Sequence, residues 1–482
     1  MHYAIIFKVL GILLMLFSLT LAPPIAVSYI YQDGTMPAFL LAFSITFFTG
    51  LMAWFPVHQV KQDLRVKDGF LITSLFWTVL ALFGSLPFLI AEGLQLSFVD
   101  AVFESLSGLT TTGATVITGL DFLPKSILFY RQQLQWLGGI GIIVIAVAIL
   151  PMLGIGGMQL YRAETPGPVK DSKLTPRITE TAKALFFIYL TLTVACTLAY
   201  WATEMNFFDA LSHAFSTVAI GGFSTYDASI GHFENPIIML ICIVFMLLSG
   251  INFALHFFAW RQKDVTHYTH DPEFRFYISL MAFGIITVTS YLAYSGVYKG
   301  GDSLIIGAFE LVSIFTTTGF GVADFSVWPT FLPVLIFLFA FIGGCAGSTG
   351  GGLKVIRVLL ILKQGIRELY RLIHPNAVIH VKLGTKTVSD RVIEAVWGFL
   401  AVYIVSFLVM TVMLLGTGLD FLTSFTAVGA CLNNLGPGLG AVAAHYGDIS
   451  PAAKWILCFA MLLGRLEVFT LLVLFTPAFW KR

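Results

Sequence analysis

The sequence predicts an all-α polytopic membrane protein of ten transmembrane helices: an N-terminal hairpin, then four pseudo-symmetric repeats of span, short pore helix and span around one pore. Three observations carry this. Hydrophobic residues make up 57% of the 482 residues and charged ones only 11%, against roughly 25% charged in soluble domains. The charges are bunched, leaving runs such as Ala184–Thr203, Asn235–Trp260, Phe276–Tyr298 and Ala395–Leu419 uncharged, each at or above the roughly 20 residues that cross a bilayer as a helix. A short segment closing on glycine recurs four times between such runs.

The spans fall near residues 4–31 and 36–55, then 70–91, 126–150, 182–203, 236–260, 275–296, 330–366, 392–416 and 453–476. Lipid forces them to be helical, because strand backbone would go unsatisfied there. The first apolar stretch, Val9–Tyr31, reads as a retained helix: it is long, broken by Pro23-Pro24 and lacks a clear cleavage site. Grouping the spans gives a hairpin over 1–60 and repeats over 61–160, 161–265, 266–372 and 373–482. Cys196, Cys242, Cys345, Cys431 and Cys458 lie in or beside apolar runs with no CxxC or Cys/His spacing, and so read as small buried apolar residues.

Linkers alternate between two kinds. One kind carries the bases, including Arg162, Lys170, Lys173, Arg177 and Lys183, and later Lys363, Arg367, Arg371, Lys382, Lys386 and Arg391. Of the 27 Lys and Arg residues, all but Lys125, Arg131, Lys299, Lys454 and Arg465 fall on this side. The positive-inside rule then places both termini and these linkers in the cytoplasm.

The other linkers are semi-apolar and end in Thr110-Thr111-Thr112-Gly113, Ala219-Ile220-Gly221-Gly222, Thr316-Thr317-Thr318-Gly319 and Asn433-Asn434-Leu435-Gly436. Each is too short to cross, so it dips in and returns, which non-helical backbone tolerates only where it lines a cavity. Glycine permits the left-handed backbone that aims consecutive carbonyls at one axis. Carbonyl rings replace a monovalent cation's hydration shell, and the preceding helices direct their negative ends to the same centre. One Thr-Thr-Thr-Gly would read as a capped helix end; four copies at equivalent places read as an ion filter. The second and fourth copies lack the threonines, so the filter is asymmetric.

The repeats, together with Gly343-Gly-Cys-Ala-Gly-Ser-Thr-Gly-Gly-Gly352-Leu-Lys-Val, Leu432-Asn-Asn-Leu-Gly-Pro-Gly438 and Gly464-Arg-Leu-Glu-Val-Phe-Thr470, resemble the Trk/Ktr/HKT potassium transporter superfamily, in its bacterial TrkH/TrkI type, over essentially the whole chain. The resemblance implies a potassium-conducting subunit of the bacterial inner membrane, with K+ at the filter carbonyls and one glycine per repeat. It also implies a homodimer with one pore per protomer and a cytoplasmic nucleotide-binding regulatory subunit of the TrkA type. Membrane lipid is the other expected partner; nucleic acid and an organic cofactor are not expected.

Outside the filter, the run Gly343, Gly344, Cys345, Ala346, Gly347, Ser348, Thr349, Gly350, Gly351, Gly352 interrupts a span. Its spacing to Lys354 departs from a phosphate-binding loop, since Leu353 intervenes and no Ser or Thr follows the lysine. It reads as an intramembrane gating loop, with a passive kink as the alternative. Arg465 within the last apolar run is expected to face a wet cavity as a pore-lining charge; a local pair with Glu467 is poor, because i,i+2 residues do not share a helix face. Glu104, Glu310 and His213 each lie nine residues before a filter glycine, where they anchor the short helices or add outer charge. A cation symporter on the same scaffold is the first functional alternative. A membrane enzyme is the second, disfavoured because no HExxH, GxSxG or paired-carboxylate constellation occurs.

Overall fold

The structure, a computed structural model, describes residues 2–60, 65–139, 141, 178–299 and 301–481. Among these, six helices are long and apolar enough to cross a membrane: Tyr3–Tyr31, Met36–Val57, Lys67–Ile90, Lys183–Trp201, Pro272–Ser295 and Asp390–Leu415. The first two form the N-terminal hairpin, and they touch through glycine. A methyl group on Gly11 would lie 2.6 Å from the Gly50 carbonyl oxygen, and one on Gly50 would lie 2.8 Å from that of Gly11. Small residues at such a crossing let the backbones pack closely, which is what drives helix association inside lipid.

The other four are the first spans of the repeats. Each is followed by a short helix: Phe98–Leu109, Phe207–Ala219, Asp302–Phe315 and Phe421–Leu432. Polar caps start three of them, with Ser97 accepting from the Asp100 amide at 3.2 Å, Asn206 from Asp209 at 2.9 Å and Asp420 from Thr423 at 3.1 Å. Such caps satisfy N–H groups that the helix itself leaves open.

The second spans differ from expectation. Continuous helices were expected at 236–260 and 453–476, but Pro236–Ser249 meets Phe253–Gln262 at 92° and Pro451–Arg465 meets Phe469–Phe475 at 109°. In the first break Asn252 recaps the chain by accepting from the Ala254 amide at 2.9 Å. In the second, Glu467 and Val468 both take positive φ, at 52° and 54°. The third repeat has the expected interruption, between Leu332–Ala340 and Val355–Ile373. In the first repeat Lys125–Gly139 is helical; the rest of the span expected over 126–150, and Arg162, Lys170, Lys173 and Arg177, lie outside the described residues.

Among the described residues two large apolar cores hold the repeats, with a small third one around Ile356, Leu360 and Ile393. Of the large cores, one joins the hairpin to repeats one and four, the other joins repeats two and three and takes in Ala430, Leu435 and Leu439 of repeat four. All five cysteines are free and buried. A small antiparallel hairpin pairs Lys382 with Thr387 and Leu383 with Lys386. Gly384, at φ 57°, opens its two-residue turn.

Candidate functional site

All four short helices end the same way. The amide two residues before each glycine bonds the carbonyl three residues back, and the next amide bonds the carbonyl five back. These are Thr111 to Gly108 and Thr112 to Ser107, Ile220 to Thr217 and Gly221 to Ser216, Thr317 to Ile314 and Thr318 to Ser313, and Asn434 to Cys431 and Leu435 to Ala430. This is a Schellman cap, but its left-handed residue is Thr111, Ile220, Thr317 or Asn434, at φ of 56°, 55°, 67° and 53°, and not the glycine. Left-handed backbone costs a non-glycine residue roughly 1–2 kcal/mol, and for β-branched residues it is an outlier. Such strain collects at functional sites.

The glycine follows as a second left-handed residue in three repeats, with Gly113, Gly222 and Gly319 at 78°, 81° and 82°. Alternating the backbone hand turns successive carbonyls to one side of the strand. Gly436 departs from this pattern because Pro437 follows it, and a residue before proline is pushed to extended backbone.

The four glycines close a ring. A methyl group on Gly113 would overlap the Gly221 carbonyl oxygen, and one on Gly222 would overlap that of Thr318. On Gly319 it would lie 2.7 Å from Pro437 Cδ, and on Gly436 2.6 Å from the Gly113 carbonyl oxygen. Each repeat therefore abuts the next, and the fourth abuts the first.

A polar side chain on each short helix holds the strand that leaves the ring. Glu104 accepts from the Val116 amide at 2.9 Å, and Glu310 from those of Val322 at 2.7 Å and Ala323 at 2.9 Å. His213 Nε2 meets the Ser224 hydroxyl at 2.9 Å, and Thr426 accepts from the Leu439 amide at 2.9 Å. Glu104, Glu310 and His213 thus anchor the segments, as one of the two sequence readings had it. Thr426 went unnoticed because it sits one position earlier.

The run 343–352 is seated directly beneath the ring. The Gly351 amide donates to Thr317 Oγ1 at 2.8 Å, Gly352 to the Asn433 carbonyl at 3.1 Å, and Thr349 Oγ1 to the Val218 carbonyl at 3.0 Å. A methyl group on Gly350 would lie 3.0 Å from the Thr316 carbonyl oxygen. Behind the loop, Cys345 donates to Gly250 at 2.9 Å and Phe253 to Gly347 at 3.0 Å, so it plugs into the break of the second repeat. Buried Glu273 accepts from Ala346 at 2.7 Å and Ile356 at 3.1 Å, tying the loop to the start of the helix that follows it. Gly343, Gly347 and Gly352 are left-handed, with φ of 72°, 75° and 78°, and Gly344 packs on Ser348 Oγ, 2.7 Å from where a methyl would stand. Ala346 and Ser348 are partly exposed.

Arg465 is not at the centre of a continuous span, as expected, but is the last residue of the helix that stops at the 109° bend. A cation suits a helix C-terminus. Its guanidinium donates to Thr111 Oγ1 at 3.2 Å and to the carbonyls of Gly138 and Gly139, and it lies 5.2 Å from the Trp77 ring. It therefore reaches the first glycine segment from below. Glu467 turns to Arg357, which also lies 4.1 Å over the Phe399 ring.

Arg131 and Gln135 escaped the sequence reading. Arg131 Nε donates to Glu104 at 2.7 Å, its other nitrogens reach the Ser224 carbonyl and Thr115 Oγ1 at 3.1 Å each, and its Cζ lies over the Phe223 ring, 4.3 Å from the centroid. Gln135 accepts from the Phe223 amide at 3.0 Å and donates to the Gly221 carbonyl at 2.6 Å. Tyr446, in turn, donates its hydroxyl to the Gly436 carbonyl at 2.8 Å. The available signal was Arg131-Gln132-Gln133-Leu134-Gln135 inside a span, since polar side chains at that depth need partners.

A family model described as TrkH, cation transport protein, matches residues 35–482. The chain is 60% identical to the Trk system potassium uptake protein TrkH of Halomonas elongata and 54% identical to that of Escherichia coli K12, over 100% of both chains in each case. It is 34% identical to TrkI of Halomonas elongata over 100% of this chain and 98% of that one. The crystal structure of the potassium transporter TrkH from Vibrio parahaemolyticus superposes with a TM-score of 0.91 at 53% identity, covering 100% of each chain. Fold, extent of match and identity agree: the chain belongs to the TrkH family of cation transport proteins.

Proposed function

We propose that this chain is the potassium-conducting membrane subunit of a Trk-type uptake system, a transporter and not an enzyme, with the four glycine segments as its filter. The single observation that carries the filter is the closed ring, in which Gly113, Gly222, Gly319 and Gly436 each abut the neighbouring repeat. Residues 110–113, 219–222, 316–319 and 433–436 supply the carbonyls that take the place of water around K+. The repeats are assigned to residues 61–160, 161–265, 266–372 and 373–482, each contributing one segment to that ring.

Loop 343–352 and Arg465 form the barrier below. The loop fills the space beneath the ring with hydrogen bonds to three repeats, and Arg465 adds a positive charge there. Both termini face the cytoplasm of the inner membrane, and two protomers pair with a pore each. A nucleotide-binding regulatory subunit of the TrkA type acts on the helix Val355–Ile373, which continues the loop into the basic stretch holding Lys363, Arg367 and Arg371. Growth of a potassium-uptake-deficient bacterium on low potassium, with and without this gene, tests the reading. Restored growth is expected; no restoration alongside a membrane-inserted, folded chain contradicts it.

A further inference from the structure

We infer that the filter field is uneven around the ring, because Gln135 and Tyr446 each hold one filter carbonyl of the diagonal repeats two and four, in successive layers, by a side-chain hydrogen bond. The inference rests on the filter reading above. Gln135 Nε2 lies 2.6 Å from the Gly221 carbonyl oxygen and Tyr446 Oη 2.8 Å from that of Gly436. The direction of the first bond is fixed: the Phe223 amide can only donate, so the atom it meets at 3.0 Å is the Gln135 oxygen, and the amide nitrogen faces Gly221. Both side chains are fully buried, at 0% and 1% exposure, and both come from outside the segment they hold.

Repeats one and three are built differently. Their threonine hydroxyls bond each other, Thr110 to Thr112 and Thr316 to Thr318, at 2.8 Å in each pair. Among the described residues no protein donor reaches the carbonyls of Thr112, Gly113, Thr318 or Gly319. These oxygens offer an ion both lone pairs. The Gly221 and Gly436 oxygens offer one, with a donor hydrogen competing for the other.

The consequence is for selectivity. A weaker carbonyl field repays the dehydration of a small cation less well than that of a large one. Gln135 and Tyr446 are therefore positioning residues that bias the filter against Na+. In repeat two the departure from Thr-Thr-Thr-Gly is part of this arrangement, since a methyl group on Gly221 would overlap the Gln135 side-chain amide.

Tyr446→Phe tests this, because it removes the hydroxyl and keeps the ring. The full chain in liposomes is assayed for K+, Rb+ and Na+ uptake, beside Gly113→Ser. Tyr446→Phe is expected to lower the K+ to Na+ ratio by about two- to tenfold, the range one net hydrogen bond commands, and to lower the Rb+ to K+ ratio as well. If Tyr446→Phe lowers flux of all three ions equally, the residue is a structural strut and the inference fails. If Gly113→Ser collapses the ratio while Tyr446→Phe leaves it unchanged, the filter stands and the inference fails; if neither moves it, the filter reading itself fails. Should Tyr446→Phe not yield folded protein, Gln135→Met, which keeps side-chain volume and removes the donor, carries the same readout on repeat two.

Discussion

The hydroxyl of Thr317 accepts the amide hydrogen of Gly351 at 2.8 Å, which joins the candidate filter of repeat three directly to the loop that lies beneath it. Thr317 is left-handed at φ 67°, a position where glycine would be cheaper. The strain leaves a hydroxyl facing the loop, just as the strained Thr111 presents one to Arg465 at 3.2 Å. The candidate filter thus meets both the loop and Arg465 through side chains of the same two equivalent residues.

Seating of the loop is sterically exacting at Gly351, where a methyl group would overlap the Asn433 carbonyl oxygen. Gly351→Ala is therefore expected to displace the loop and raise basal cation flux through the chain in liposomes. Deleting Gly347–Gly351 is expected to do the same and to uncouple flux from the regulatory subunit. Wild-type flux with intact regulation in both variants would show the glycines to be a kink.

Arg465→Ala removes the positive charge and its bonds to Thr111, Gly138 and Gly139. Cation permeation should increase while the amount of folded protein in the membrane stays the same. If Arg465→Ala and Glu467→Ala both fail to insert, the arginine serves the helix break and not the pore.

The Glu104–Arg131 pair joins the first short helix to the second span of its repeat, with both partners buried at 0% and 1% exposure. Removing one partner of such a pair leaves a buried charge uncompensated, at a cost of about 3–5 kcal/mol, whereas replacing both is milder. Glu104→Gln and Arg131→Met should each lower the thermal unfolding midpoint in detergent, and the double variant should lose less than the two single losses together. Unchanged midpoints for both single variants would remove the pair from the architecture.

Much of this was legible in the sequence because lipid makes its demands on composition. Uncharged runs marked the first spans of all four repeats, and glycine at equivalent places marked the ring. What stayed hidden depends on contacts between repeats. Nothing local distinguishes Leu466-Glu467-Val468 as a bend of 109°, since its positive-φ residues are not glycines. The 92° break near Gly250 and Asn252 carries a glycine stop and an asparagine cap in the sequence, but the long uncharged run 236–260 outweighs them and reads as one span. Left-handed backbone at Gly113, Gly222 and Gly319 is what glycine permits, but the caps at Thr111, Ile220, Thr317 and Asn434 were not legible, because none of these residues favours that conformation. Gln135 acts on Gly221, 86 residues away, and no periodicity within the span 126–150 names that partner.

Whether the four glycines form a potassium filter is decided by the ratio of K+ to Na+ uptake into liposomes holding the full chain, with and without Gly113→Ser. Gly113 has no room for a side chain and holds φ at 78°. The wild-type chain should prefer K+, and Gly113→Ser should abolish or sharply reduce that preference while cations still pass. An unchanged ratio in a folded Gly113→Ser variant would contradict the assignment.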